Sequence, residues 1–230
     1  MNKVIAVFSP TGGIGVSTVA AHLAYQFANN FETAIVDMNP DFGSIGQILN
    51  FSPELPQNKF PVAMRTDSPF LSSLSHPKHS RLKFFPSPPS TVLDSVDWKN
   101  HLDNCKRIFP YTVVDLPHTF LVQDLFIGLE FADSILLVTE YHWASILSAK
   151  NFLESCHEGL SKKVKVVMNK HQWLPADIVD ECQRNLGRTP DSSLSLIPEL
   201  KGVHKIQLLN AFGKGIKTLA DSMRQEQEKH

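Results

Sequence analysis

Apolar positions along the chain gather into short runs separated by turn residues: Val4 to Phe8, Ala34 to Val36, Leu82 to Phe85, Thr112 to Val114, Ser134 to Val138, Val164 to Met168 and Leu194 to Ile197. Runs of this length without polar alternation are the pattern of strands buried on both faces. Between several of them the spacing changes to the helical period. Val19, Leu23 and Phe27 share one face, as do Ile146, Ala149, Phe152, Leu153 and Cys156. Strands alternating with amphipathic helices predict an α/β fold, a mostly parallel twisted sheet with helices on both faces.

The alternation breaks over residues 51–80, where Pro53, Pro56, Pro61, Pro69 and Pro77 stand among serines and other polar residues. A long surface excursion is expected there, serving either as decoration or as a docking surface. A last helical pattern begins at Ile216 and runs into the polar residues 224–230. It lacks the apolar face beside a basic one that a membrane-surface helix needs, so no membrane-targeting helix is expected. No internal repeat is visible.

With 230 residues and 42% hydrophobic content, the chain can bury a large core, and one domain over 1–230 is the expectation. Its 22 basic and 23 acidic residues leave a net charge of −1, so no overall field attracts nucleic acid or anionic lipid. The cluster Lys201, Lys205, Lys214, Lys217 and Arg224 then reads as a solvated helix face rather than a nucleic-acid patch. Cys105, Cys156 and Cys182 have no CxxC spacing, which fits a reducing, cytoplasmic setting. Val4 to Phe8 is too short for a secretory leader, and Glu130 and Asp133 interrupt the later apolar stretch. The ten histidines are dispersed, and His76 and His79 read as loop residues rather than metal ligands.

The chemistry concentrates after the first strand, in Ser9-Pro10-Thr11-Gly12-Gly13-Ile14-Gly15-Val16-Ser17-Thr18, followed directly by an amphipathic helix. Glycines let a backbone approach a polyphosphate closely, successive N–H groups form an anion nest, and a helix N-terminus adds partial positive charge. Ser17 stands where a hydroxyl can ligate Mg²⁺. Taken alone, the glycines serve equally as a tight strand-to-helix turn. Two strand-terminal acids, Asp37 and Asp115, follow; by itself such an aspartate is equally a helix cap.

This loop resembles the deviant Walker A motif, KGGxGK[ST]T, of the MinD/ParA superfamily, a P-loop NTPase-like group of the SIMIBI class. The match falls on Gly12, Gly13, Gly15, Ser17 and Thr18. The resemblance implies nucleotide contacts from Thr11, Gly12, Gly13, Ile14, Gly15, Val16, Ser17 and Thr18, and ATP or ADP with Mg²⁺ as cofactors. It implies that Asp115, in the Walker B-like strand Tyr111 to Pro117, and Ser17 hold the metal. Asp37 would be the catalytic carboxylate that helps position the attacking water, and Asn169 and Pro198 would lie beside the base. Both lysine positions of the motif are altered: Thr11 replaces the lysine that reaches across a dimer, and Val16 the one that contacts the β/γ-phosphates. Asn39 further replaces the second acid of a DxD pair. Loss of cations that stabilise a transferring phosphoryl group predicts weak or absent hydrolysis.

Within the superfamily, the GGIGVST loop, the segment Asp41 to Ile45 and the stretches Ala132 to Thr139 and Ala144 to Lys150 look most like the CpaE/TadZ-like pilus-assembly factors. The implied function is an ATP-binding scaffold or localisation factor. It would form a homodimer, position a pilus or secretion complex as protein partner, and be recruited from the cytoplasm to the cell pole or membrane. Two alternatives stand beside it. One is a working MinD- or ParA-type ATPase with a compensating cation from Lys170, Lys201, Lys205 or a partner; the other is an interaction module that binds no nucleotide.

Overall fold

The apolar runs become one eight-stranded sheet in a computed structural model that describes residues 2–39, 44–51, 73–87, 95–118, 123–196, 206 and 210–225. The strands are β1 (Lys3–Phe8), β2 (Thr33–Asp37), β3 (Leu74–His76), β4 (His79–Phe85), β5 (Tyr111–Asp115), β6 (Ser134–Thr139), β7 (Val164–His171) and β8 (Ser192–Ser195). Their order across the sheet is β3-β4-β2-β5-β1-β6-β7-β8, and every pairing is parallel except that of β3 with β4. Parallel neighbours need crossovers, and helices lie in them: α1 (Val16–Ala28), α2 (Ser44–Ile48), α3 (Ser95–Ile108), α4 (Gln123–Phe131), α5 (Trp143–Ser155), α6 (Glu158–Ser161) and α7 (Ala176–Leu186), while α8 (Ala211–Gln225) follows the last strand.

Successive strand residues face opposite sides, so each central strand feeds two cores. Ile5 and Val7 of β1 and Val113 of β5 pack with Leu23 and Phe27 of α1 and with Phe212, Ile216 and Leu219 of α8. Val4, Ala6 and Phe8 pack on the other face with Leu102 of α3, Leu129 of α4 and Ile146, Ala149 and Phe152 of α5. Leu153 and Cys156 are partly buried against the same cluster, as their spacing predicts. Burial on both faces is why β1, β5 and β6 lack polar alternation.

Two elements differ from the sequence expectation. The end of the predicted excursion, Leu74 to His79, turns back on the sheet as β3 and the start of β4, while residues 52–72 lie outside the described part. His76 is held there by its ring: Nε2 contacts the Leu49 carbonyl at 3.0 Å and Nδ1 accepts from the Lys78 N–H. The last helix starts at Ala211, not Ile216, despite Gly213 and Gly215. Asn210 caps it, its Oδ1 accepting the Gly213 N–H at 2.9 Å. A Cβ on Gly215 would meet Leu194 Cδ2 at 3.0 Å, so the small residue lets α8 lie close on β8.

Candidate functional site

The carboxyl ends of β1, β2 and β5 converge on the Gly-rich loop. Register alone brings the two acids together: Asp37 and Asp115 are Cα partners on adjacent parallel strands, and Val7, just before the loop, pairs with Asp115 on its other side. Both carboxyls are buried. Asp37 Oδ1 accepts the Asn39 N–H at 2.9 Å, and the Ser17 hydroxyl hydrogen-bonds to Asp115. Asp115 Oδ2 is buried with no hydrogen-bond partner among the described residues.

Burial pushes the Asp37 carboxyl up to about 7, against the Asn39 N–H, which favours the ionised form. Asp115 is raised well above the ordinary range, first by burial and then by the charge of Asp37, with the Ser17 hydrogen bond opposing. Two buried carboxylates side by side repel unless a proton or a cation sits with them. The orphaned oxygen, the two acids and the Ser17 hydroxyl form a hard oxygen donor set that fits Mg²⁺.

Gly13 and Gly15 adopt left-handed backbone at φ 75° and 93°, and Gly15 is the N-cap of α1. The N-cap glycine has no side chain to cap that helix, so its first-turn N–H groups are available to meet an anion. Glycine at 15 is also a steric need, because a Cβ there would stand 2.7 Å from Asn169 Nδ2. Val16 is half-buried and packs against the α1-side core. It also lines a cavity of about 260 Å³ with Thr11, Ser17, Asn39 and His118. Thr11 Oγ1 is buried without a hydrogen-bond partner among the described residues.

On the other side of the loop opens a cleft of about 610 Å³, walled by Gly13, Thr18, Glu140, Tyr141, Asn169 and Lys170. Its β7 wall grips the loop. Asn169 Nδ2 donates to the Ile14 carbonyl at 2.7 Å, and Lys170 Nζ to the Gly13 carbonyl at 2.7 Å while pairing with Glu140 Oε2 at 3.3 Å. Trp143 and Trp173, 57% and 86% exposed, stand next in sequence to the cleft residues His142 and Gln172.

The structure therefore gathers Thr11 to Thr18, Asp37, Asp115 and Asn169 at one end of the sheet. Pro198, Asp41 to Gly43, Lys201 and Lys205 lie outside the described residues. Lys214 and Lys217 are exposed on α8, and Arg224 is paired with Asp221 and lies over the Phe31 ring. The sequence gives no sign of Glu140 or His118 as site residues. His118 follows Asp115 by three positions, and its ring lies 3.5 Å from the Cβ position of Gly12.

No family model matches the chain. It is 27% identical over 183 residues to the tyrosine-protein kinase CpsD of Streptococcus agalactiae, an alignment covering 74% of this chain and 75% of that protein. Its fold is that of the MinD/ParA P-loop NTPases. A MinC:MinD cell division complex from Aquifex aeolicus superposes with a TM-score of 0.81 at 18% identity, over 97% of this chain and 96% of that one. A ParA family ATPase from Chlorobium tepidum gives 0.76 at 19% identity over 96% and 99%, and the Mg-ADP complex of Pyrococcus horikoshii MinD gives 0.78 at 13% over 97% and 96%.

Proposed function

We propose that this chain binds ATP or ADP with Mg²⁺ and serves as a scaffold or localisation factor of the MinD/ParA kind, turning nucleotide over slowly or not at all. The observation that carries the reading is the uncapped start of α1 behind two left-handed glycines, set beside the buried Asp37/Asp115 pair with its orphaned oxygen. The phosphates sit on main-chain N–H groups at the mouth of α1, and the nucleoside lies in the cleft beside Asn169. Ser17 and Asp115 would hold Mg²⁺, which neutralises phosphate charge when bound. Among the described residues Asp37, next to Asp115, is the nearby acid suited to orient an attacking water, and Asn39 adds none. With Val16 and Thr11 in place of lysines, charge building on a transferring phosphoryl group lacks its usual loop cations. Strong binding and weak turnover are the combination that suits a scaffold.

In the same reading the nucleotide-loaded face joins two copies and the dimer positions a pilus or secretion complex, as the CpaE/TadZ-like features of the sequence suggest. A structural neighbour, MinD, is itself seen in complex with a protein partner, MinC. The test is titration calorimetry with ATP and ADP under magnesium, paired with a phosphate-release assay. Micromolar binding with negligible release is the expected result, and absence of binding to either nucleotide ends the proposal. A cycling ATPase is the second reading, favoured by one observation, the lysine that reaches the loop from β7. Steady phosphate release that disappears in Asp37→Ala is its signature.

A further inference from the structure

The loop has lost its own cations, but a lysine from elsewhere in the fold touches it. Lys170 Nζ lies 2.7 Å from the Gly13 carbonyl and 3.3 Å from Glu140 Oε2. Two backbone features bring it there. The pairing of β7 with β8 shifts register between Met168 and His171, and Lys170 itself takes φ 52°, a left-handed conformation uncommon outside glycine. Irregularities of this type next to a site re-aim side chains. Here they turn Asn169 and Lys170 onto consecutive carbonyls of the loop, Ile14 and Gly13.

A peptide unit is planar, with its C=O and N–H pointing in opposite directions. An ammonium on the Gly13 oxygen therefore fixes and polarises the Ile14 N–H toward the far side, and the Asn169 amide does the same for the Gly15 N–H. We infer that Lys170 is the relocated cation of this phosphate site: it works from the carbonyl side of the loop, holding the Gly13–Ile14 peptide so that its N–H meets a nucleoside di- or triphosphate. Lys170 is thus a positioning residue, and Glu140 keeps its side chain folded over the cleft. The inference rests on the nucleotide-binding reading above and deepens it.

The test is calorimetric titration of the full chain with MgADP, in wild type, Lys170→Asn and Lys170→Arg. Asparagine tolerates the left-handed backbone, so the change removes the ammonium and its reach to Gly13 without straining the main chain. The expected result is a roughly tenfold loss of affinity in Lys170→Asn, the scale of a hydrogen bond to a charged group. Lys170→Arg should stay within about threefold of wild type, and the ligand-free thermal midpoints of all three should coincide. If Lys170→Asn lowers that midpoint, Lys170→Gln takes its place in the comparison. Equal MgADP affinity in wild type and the neutral variant, or an equal loss in Lys170→Arg, overturns the inference while leaving the nucleotide reading standing. A wild type that binds neither ADP nor ATP brings down the reading itself.

Discussion

Asp37 and Asp115 stand opposite one another on neighbouring parallel strands, two buried acids in register, each raising the cost of charging the other. Everything else in the site is arranged around that unfavourable pair. The Gly-rich loop passes beside it, and one oxygen of Asp115 has no hydrogen-bond partner among the described residues. Buried acids whose charging is this costly, at strand ends beside such a loop, mark a candidate functional site.

The first prediction concerns pH. The folded Asp37 carboxyl titrates near 7, above its unfolded value of 3.8, so between these values the native state binds the extra proton. Stability of the ligand-free protein is therefore highest at the acid end of this window and declines as pH rises through 7. Mg²⁺ competes with that proton and should raise the thermal midpoint more at pH 8 than at pH 5. In Asp37→Asn the decline with pH should flatten, which thermal scans across this range will read directly.

Gly15→Ala places a methyl group at φ 93° and 2.7 Å from Asn169 Nδ2. Left-handed strain alone costs about 1–2 kcal/mol, and the Asn169 amide must also leave the Ile14 carbonyl. The variant should unfold at a lower temperature and lose nucleotide binding. Retention of both properties in calorimetry would mean that the β7 brace is dispensable.

Restoring a charge to the loop makes a third test. Val16→Lys exchanges a half-buried valine for a flexible side chain at the start of α1. A charge-assisted hydrogen bond to phosphate is worth about 1.5–3 kcal/mol, so ATP affinity should rise by roughly tenfold or more. Unchanged affinity in a titration would show that the loop does not present this position to phosphate.

A fourth prediction tests the packing behind the site. Phe27 is almost fully buried and stacks on Tyr111 with ring centroids 4.1 Å apart, tying α1 to the strand that carries Asp115. Phe27→Ala should destabilise the protein by about 3–5 kcal/mol, the usual range for a buried aromatic truncated to alanine. Chemical denaturation will measure it, and a loss below 1 kcal/mol would contradict the packing described.

The sheet and loop are legible in the sequence because their signals are local. Doubly buried strands show as unbroken apolar runs, and Gly12, Gly13 and Gly15 lie between a strand and a helix within a few residues of one another. What is hidden depends on distant partners. Lys170 looks like an ordinary polar residue after a strand until the bulge between β7 and β8 turns it toward Gly13. β3 is obscured by Ser75, His76 and Pro77, which interrupt any apolar run, and its identity comes from pairing with β4. The early start of α8 is masked by Gly213 and Gly215, which look like helix breakers until Leu194 is seen packed against the second.

The placement of the three tryptophans gives the molecule an intrinsic optical probe. Trp98 is a buried residue of α3, whereas Trp143 and Trp173 are exposed to water and each follows a cleft residue, His142 or Gln172, in the chain. Unliganded protein should emit mainly from the solvated indoles, at long wavelength and open to quenching by iodide. A molecule settling between their neighbours changes that emission while Trp98 glows on as an internal reference, so occupancy of the cleft can be followed by light in unlabelled protein.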